Sequence, residues 1–252
     1  MTTDSIRDAL RAGRPVVSAW SSIPDPLVAE ALAAVGYDAV TLDLQHGVGS
    51  DADLLSLLQA IDARNVPSLV RIPWNEPKTA MRALDLGAHG VIAPMIRHAG
   101  DVRDLVAACR YAPDGIRSFG PTRANLAFGP DYGARANDLV TVAAMIETRS
   151  AFEALDEVLA VPGLDMAFVG PADLSQALGG RPGADFEDGP VADALDRIVE
   201  RCRAHGVAAG LFCRSPEYAR AALVRGFAFV TADSDLAHLQ RGASAALRTV
   251  RG

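Results

Sequence analysis

The 252-residue chain carries 24 Lys+Arg against 31 Asp+Glu, a net charge of −7, and half of its residues are hydrophobic. That balance argues against an electrostatic grip on nucleic acid or an anionic membrane. The five His and three scattered cysteines (Cys109, Cys202, Cys213), with no CxxC, argue against a zinc ribbon, an iron–sulfur site or a disulfide scaffold, and fit a reducing cytoplasm. No secretory h-region opens the chain, and no apolar run approaches the ~18 residues of a membrane span. Any metal must therefore be held mostly by carboxylates.

Short apolar runs alternate with helical patterns along the whole chain. Eight strands are predicted, at residues 16–20, 39–43, 67–72, 90–94, 140–146, 166–169, 208–212 and 227–231. Most are apolar on successive residues, which suits strands buried on both faces in a parallel sheet. Between them, Asp25 and Pro26 read as N-cap and first helical residue, and Gly36 reads as the stop. Ser50 with Asp53, and Ser150 with Glu153, resemble capping boxes. A helix–Gly–turn–strand pattern recurs at Gly36, Gly87, Gly163 and Gly226, as repeated αβ turns produce. Residues 112–137 and 179–190 are rich in Gly, Pro and Asp and read as long, functional loops. Eight β/α units in one undivided domain, residues 1–252, match an α/β fold of the (β/α)₈ TIM-barrel type. A doubly wound sheet is the alternative, disfavoured because no GxGxxG follows the first strand.

A parallel barrel keeps its active site at the strand C-termini. The polar residues predicted there are His46 with Asp43 after the second strand, Arg71 on the third, Glu147 on the fifth and Asp173 after the sixth. Glu147 and Asp173, completed by water and substrate oxygens, suit Mg²⁺ or Mn²⁺. The competing explanation is an ion pair with Arg149. Arg71 is a planar fork for a carboxylate or enolate, or else a structural salt bridge at the barrel mouth. His46 is a candidate acid/base oriented by Asp43, or else a loop histidine capping a backbone group. Of the five histidines it alone stands at a strand C-terminus; His89 precedes a strand, and His98, His205 and His238 fall on helices or turns. The run Gly170-Pro171-Ala172-Asp173-Leu174-Ser175 offers backbone amides to a carboxylate or phosphate. Trp20 and Trp74 are candidates for the pocket wall or for barrel packing. No Schiff-base lysine is evident at a strand end, since Lys78 sits at a predicted helix start.

These stretches, in this order, resemble the HpcH/HpaI aldolases, the metal-dependent class II pyruvate aldolases. The resemblance rests on Asp43-Leu44-Gln45-His46, Arg71-Ile72-Pro73-Trp74-Asn75, Gly90-Val91-Ile92-Ala93-Pro94-Met95, Ile146-Glu147-Thr148-Arg149 and Phe168-Val169-Gly170-Pro171-Ala172-Asp173. It implies a barrel of the phosphoenolpyruvate/pyruvate-binding type, a C-terminal helix exchanged between subunits and a cytoplasmic homohexamer. It places metal ligation on Glu147 and Asp173, pyruvate binding on Arg71 and the backbone of Ala172, and acid/base work on His46 paired with Asp43. Two departures are visible: Gln45 stands where many members have Glu, and Met145 where several have Gln.

The implied reaction cleaves a 4-hydroxy-2-oxo acid to pyruvate and an aldehyde, and runs in reverse as aldol addition. A divalent cation (Mg²⁺, Mn²⁺ or Co²⁺) would serve as electron sink for the pyruvate enolate. Trp20, Gln45, Gly170 and Phe212 are expected to contact substrate, and the aldehyde is expected to be chosen by residues 118–137, Phe212 and a neighbouring subunit. A citramalyl- or malyl-CoA-type lyase and a non-catalytic 2-oxo-acid-binding barrel are the competing readings.

Overall fold

The structure, a computed structural model, describes residues 5–252. Eight parallel strands close into one barrel in sequence order: β1 Val16–Ser21, β2 Ala39–Asp43, β3 Ser68–Arg71, β4 Gly90–Ala93, β5 Thr141–Ile146, β6 Met166–Val169, β7 Ala208–Leu211 and β8 Phe229–Ser234. The expected (β/α)₈ architecture is therefore present, and the strand positions agree with the apolar runs to within a few residues. β8 differs most, because its register against β1 shifts between Ser18 and Trp20, and Asp233 takes a left-handed backbone (φ 72°). No helix among the described residues is long and apolar enough to cross a membrane.

Alternation along each strand sorts the side chains into two cores. Val40, Leu42, Val70, Val91, Val142, Ala144, Val169 and Leu211 face outward and pack under the helices. Val16, Trp20, Ala39, Leu69, Ile92, Ala143, Met145, Met166, Phe168 and Phe229 fill the barrel itself. The short helix Ile6–Arg11 closes the N-terminal end, with Ile6 and Leu10 joining the inner core. Its Arg7 donates to Asp165 at 2.7 Å and to the carbonyls of Asn137 and Asp138.

Helix ends follow the predicted chemistry in part. Asp25 accepts from the amides of Leu27 and Val28, and Gly36 ends that helix at φ 107°, a conformation that suits a residue without Cβ. At the next helix one half of the capping box forms: the Asp53 carboxylate accepts from the Ser50 amide at 2.8 Å. The Ser50 hydroxyl donates to that same carboxylate and accepts from the Ala52 amide (3.3 Å), not from the Asp53 amide that the box requires. Ser150 is not a cap. Thr148, extended at the end of β5, accepts from the Ala151 amide, and the helix Arg149–Glu153 starts before Ser150.

Residues 112–137 are likewise not one loop. They hold the helix Thr122–Phe128 and most of the helix Tyr132–Leu139, both too short to reveal a 3.6-residue period. Ala124, Tyr132 and Ala136 bury against Tyr111 in a core of their own, and Arg117 donates to the Tyr132 hydroxyl at 3.0 Å.

The C-terminal helix Asp235–Arg251 is fastened at its first residue. Asp235 accepts from the Ser21 hydroxyl (3.1 Å) and from the amides of Ser22, Ile23 and Leu236. This ties the end of β1 to the end of β8 beside the barrel mouth. Beyond it the helix leaves its own barrel, with Leu236, Leu239, Leu247 and Val250 exposed.

Candidate active site

The inward alternation that fills the barrel continues past it at the C-terminal end. Trp20 follows Ser18, Asp43 follows Thr41, Arg71 follows Leu69, Glu147 follows Met145, and Gly170 follows Phe168, each two residues on. Together they line a cavity of about 440 Å³ with His46, Ala172, Asp173, Phe212 and Arg214. Nine of the ten residues expected at the site thus converge from six strand ends. Gln45 does not line this cavity; its amide oxygen is buried without a hydrogen-bond partner among the described residues. Trp74, half-exposed, also stays outside, whereas Trp20 forms the wall. Lys78, the only lysine in the sequence, is exposed on the helix Pro77–Asp85, so no lysine reaches the cavity.

Arg71 and Asp43 form a bidentate pair: Nε donates to Oδ1 at 2.8 Å and a terminal nitrogen donates to Oδ2 at 2.5 Å. Both are buried, and β2 and β3 set them side by side in register. Trp20 lies under the guanidinium, 4.8 Å from centroid to Cζ, and its indole N–H donates to Asp43 Oδ2 at 3.3 Å. Trp20 in turn stacks on Phe168 and meets Phe212 edge-on. Burial alone would raise the Asp43 carboxyl; the Arg71 fork and the amides of Gln45 and His46 outweigh it and hold it below the ordinary range.

Those two amides correct one expectation. Asp43 holds the backbone of His46 (3.1 Å), not its ring, since its oxygens are already engaged with Arg71, Trp20 and the loop amides. The His46 imidazole is exposed at the rim with no hydrogen bond among the described residues.

Glu147 is the opposite case. It is 2% exposed and accepts a single hydrogen bond, from the Met95 amide at 2.6 Å. Met95 presents that amide from a left-handed backbone (φ 56°). Burial is the main cause that pushes the Glu147 carboxyl up to about 7; the neighbouring Asp173 adds to it, and Arg71 opposes it. Gly170 makes room for the carboxylate, because a Cβ there would sit 2.5 Å from Oε2. Asp173, on the first turn of the helix Pro171–Ala177, has no hydrogen bond among the described residues. Two carboxylates with free oxygen lone pairs thus face one cavity, and they repel each other. Among the described residues no group of three or more His, Cys, Asp or Glu is suited to a metal.

Sequence reasoning passed over Arg214; the wall formed by residues 182–184 falls within the 179–190 segment that it read as a functional loop. Arg214 lies two residues beyond Phe212, so the same alternation that located Phe212 points to it.

A family model for the HpcH/HpaI aldolase/citrate lyase family matches residues 17–241. A hydroxypyruvate/pyruvate aldolase from Rhizorhabdus wittichii is 41% identical over 248 residues, covering 98% of this chain and 99% of that protein. A 4-hydroxy-2-oxo-heptane-1,7-dioate aldolase from Salmonella arizonae is 36% identical over 247 residues, covering 96% and 92%. The crystal structure of an HpcH/HpaI aldolase/citrate lyase family protein from Burkholderia cenocepacia J2315 superposes with a TM-score of 0.92 at 33% identity, covering 99% of this chain and all of that one.

A carboxyl raised in the fold favours folding while it is protonated. The stability it contributes is complete below its ordinary value of 4.5 and is lost as pH rises through about 7. Chelator-treated protein is therefore expected to lose on the order of 3 kcal/mol of unfolding free energy between pH 4.5 and 7.5 through this residue. Glu147→Gln is expected to flatten that slope in urea titrations, and an unchanged slope would refute the assignment.

Proposed function

The chain belongs to the HpcH/HpaI aldolase/citrate lyase family and is a carbon–carbon lyase, and from that premise we propose that it cleaves 4-hydroxy-2-oxo acids to pyruvate and an aldehyde, and catalyses the reverse addition. The observation that carries this reading is the buried Glu147 beside Asp173, across the cavity from the Arg71–Asp43 pair. Two repelling carboxylates with unfilled lone pairs fit a hard divalent cation such as Mg²⁺, Mn²⁺ or Co²⁺. Glu147 and Asp173 would hold it, and when bound it supplies Lewis acidity toward the 2-oxo group.

Arg71 binds and polarises the 2-oxo acid. Two of its five N–H bonds go to Asp43, which leaves three for substrate oxygens. Because Asp43 and Trp20 already fix the guanidinium, its positive charge meets developing enolate charge with little reorganisation. The backbone of Ala172 seats the substrate carboxylate. His46 takes the 4-hydroxyl proton at an imidazole nitrogen as the carbon–carbon bond breaks, and returns a proton to pyruvate C3. Asp43 is a positioning residue in this scheme, acting through Arg71 and the 45–46 backbone. With the single lysine outside the cavity, no Schiff base is needed to store the electron pair.

The exposed stripe Leu236, Leu239, Leu247 and Val250 supports a second part of the reading: the C-terminal helix packs on a neighbouring subunit, within a homohexamer.

Three outcomes test these proposals. EDTA is expected to abolish both aldol cleavage and C3–H exchange of pyruvate in D₂O, with Mn²⁺ or Mg²⁺ restoring both; full activity in EDTA, or borohydride trapping of pyruvate on the protein, would overturn the scheme. Arg71→Lys, which loses the fork, is expected to lower kcat by roughly 10²–10³ with the fold intact by circular dichroism. Leu239→Glu is expected to reduce the particle mass in light scattering; an unchanged mass would argue against the helix as the subunit contact.

A further inference from the structure

Resting on the pyruvate-aldolase reading above, we propose that Arg214 selects the aldehyde partner, and that this partner carries an anionic group at the end remote from its reacting carbonyl. The case begins with the charges on the cavity wall. Asp43 and Arg71 neutralise each other through two hydrogen bonds. Glu147 and Asp173 are a pair suited to one divalent cation. Arg214 remains: it lines the cavity, is exposed, and its guanidinium has no carboxylate, carbonyl or ring partner among the described residues.

Depth orders the same groups. Glu147 lies buried at the floor, whereas Arg214 is exposed at the rim, two residues beyond Phe212 on the β7 side. A substrate with its 2-oxo acid end at Glu147 extends its other end toward that rim. Ser22 and Ser234, at the ends of the adjoining strands β1 and β8, line the same side and add hydroxyl groups.

The base of Arg214 is held while its head stays free. Its backbone amide donates to Asp185 Oδ1 at 2.9 Å, from a loop residue with a left-handed backbone (φ 57°). Two further bonds fasten that loop: the Tyr218 hydroxyl donates to the Phe186 carbonyl at 2.6 Å, and the Ser175 hydroxyl to the Arg181 carbonyl at 2.6 Å. Pro182, Gly183 and Ala184 between these anchors form part of the cavity wall. An arginine fixed at its backbone and unpaired at its guanidinium is a planar fork for a carboxylate or a phosphate. A neutral aldehyde would leave that charge unanswered.

The test uses matched pairs of acceptors with pyruvate: 4-oxobutanoate against its uncharged amide, and glyceraldehyde 3-phosphate against glyceraldehyde. Wild-type protein is expected to prefer the anionic member of at least one pair. Arg214→Gln is expected to lower kcat/KM for that member roughly 10- to 100-fold, mainly through KM, and to lower it far less for the neutral member. Arg214→Lys is expected to recover part of the loss. An effect confined to one pair supports the proposal and identifies the anion as carboxylate or phosphate. Equal losses on charged and neutral acceptors, or no loss at all, would overturn it. Pyruvate C3–H exchange without any aldehyde separates the two levels of the argument. Its absence in the wild type would remove the aldolase reading itself, whereas normal exchange without charge discrimination would remove only the role of Arg214.

Discussion

Closure of eight parallel strands forces alternate side chains inward, and every functional position in this protein inherits that constraint. Low in the barrel the inward positions are mostly apolar and stack into a plug, with Leu69, Ile92, Ala143, Met166 and Phe229 among them, while the inward Ser18 and Thr41 hydroxyls bond to each other. One step further along the same strands the inward positions become Asp43, Arg71 and Glu147. The apolar layer below them does two things. It withholds water from one side of each polar group, which strengthens their interactions, and it fixes where their Cα atoms stand. The precision of the site is thus a property of the sheet rather than of the loops.

Desolvation in that setting is met in two different ways. Asp43 is buried beside a partner that satisfies it, so its charge is retained and its pKa lowered. A buried pair of this kind adds little net stability but strongly specifies geometry. Here it presents Arg71 in one orientation over Trp20. Glu147 is buried beside another carboxylate, so its charge is disfavoured and its pKa raised. The fold tolerates that unfavourable arrangement at one place, and Gly170 shapes the space for it. One cavity thus holds two carboxylates in opposed environments, the kind of pairing that concentrates at functional sites.

Much of the fold and of this site was legible in the sequence. Continuous Val, Ile, Leu and Phe runs mark parallel strands because both faces are buried, and polar residues just after those runs mark the barrel mouth. Asp43, Arg71, Glu147, Asp173 and Phe212 are all visible by that logic. The misreadings have local causes. The helices Thr122–Phe128 and Tyr132–Leu139 are only two turns long, and what stabilises them is contact with Tyr111 and Arg117 rather than their own periodicity. Ser150 and Thr148 are both plausible caps by type; the extended backbone at the end of β5 chooses Thr148.

The amino-acid sequence by itself determined the class of barrel, the family and the set of groups available for chemistry, because hydrophobic period and residue type are local properties. Pairings were decided only by the tertiary structure. Sequence proximity suggests that Asp43 serves the His46 ring three residues away. Strand register instead sets Asp43 beside Arg71, 28 residues on, and a carboxylate has few lone pairs to share. The same register leaves Gln45 out of the cavity and brings in Arg214, whose freedom from any partner no linear pattern discloses. Which charges are neutralised and which are left free depends on distances across the barrel, and those exist only once the sheet has closed.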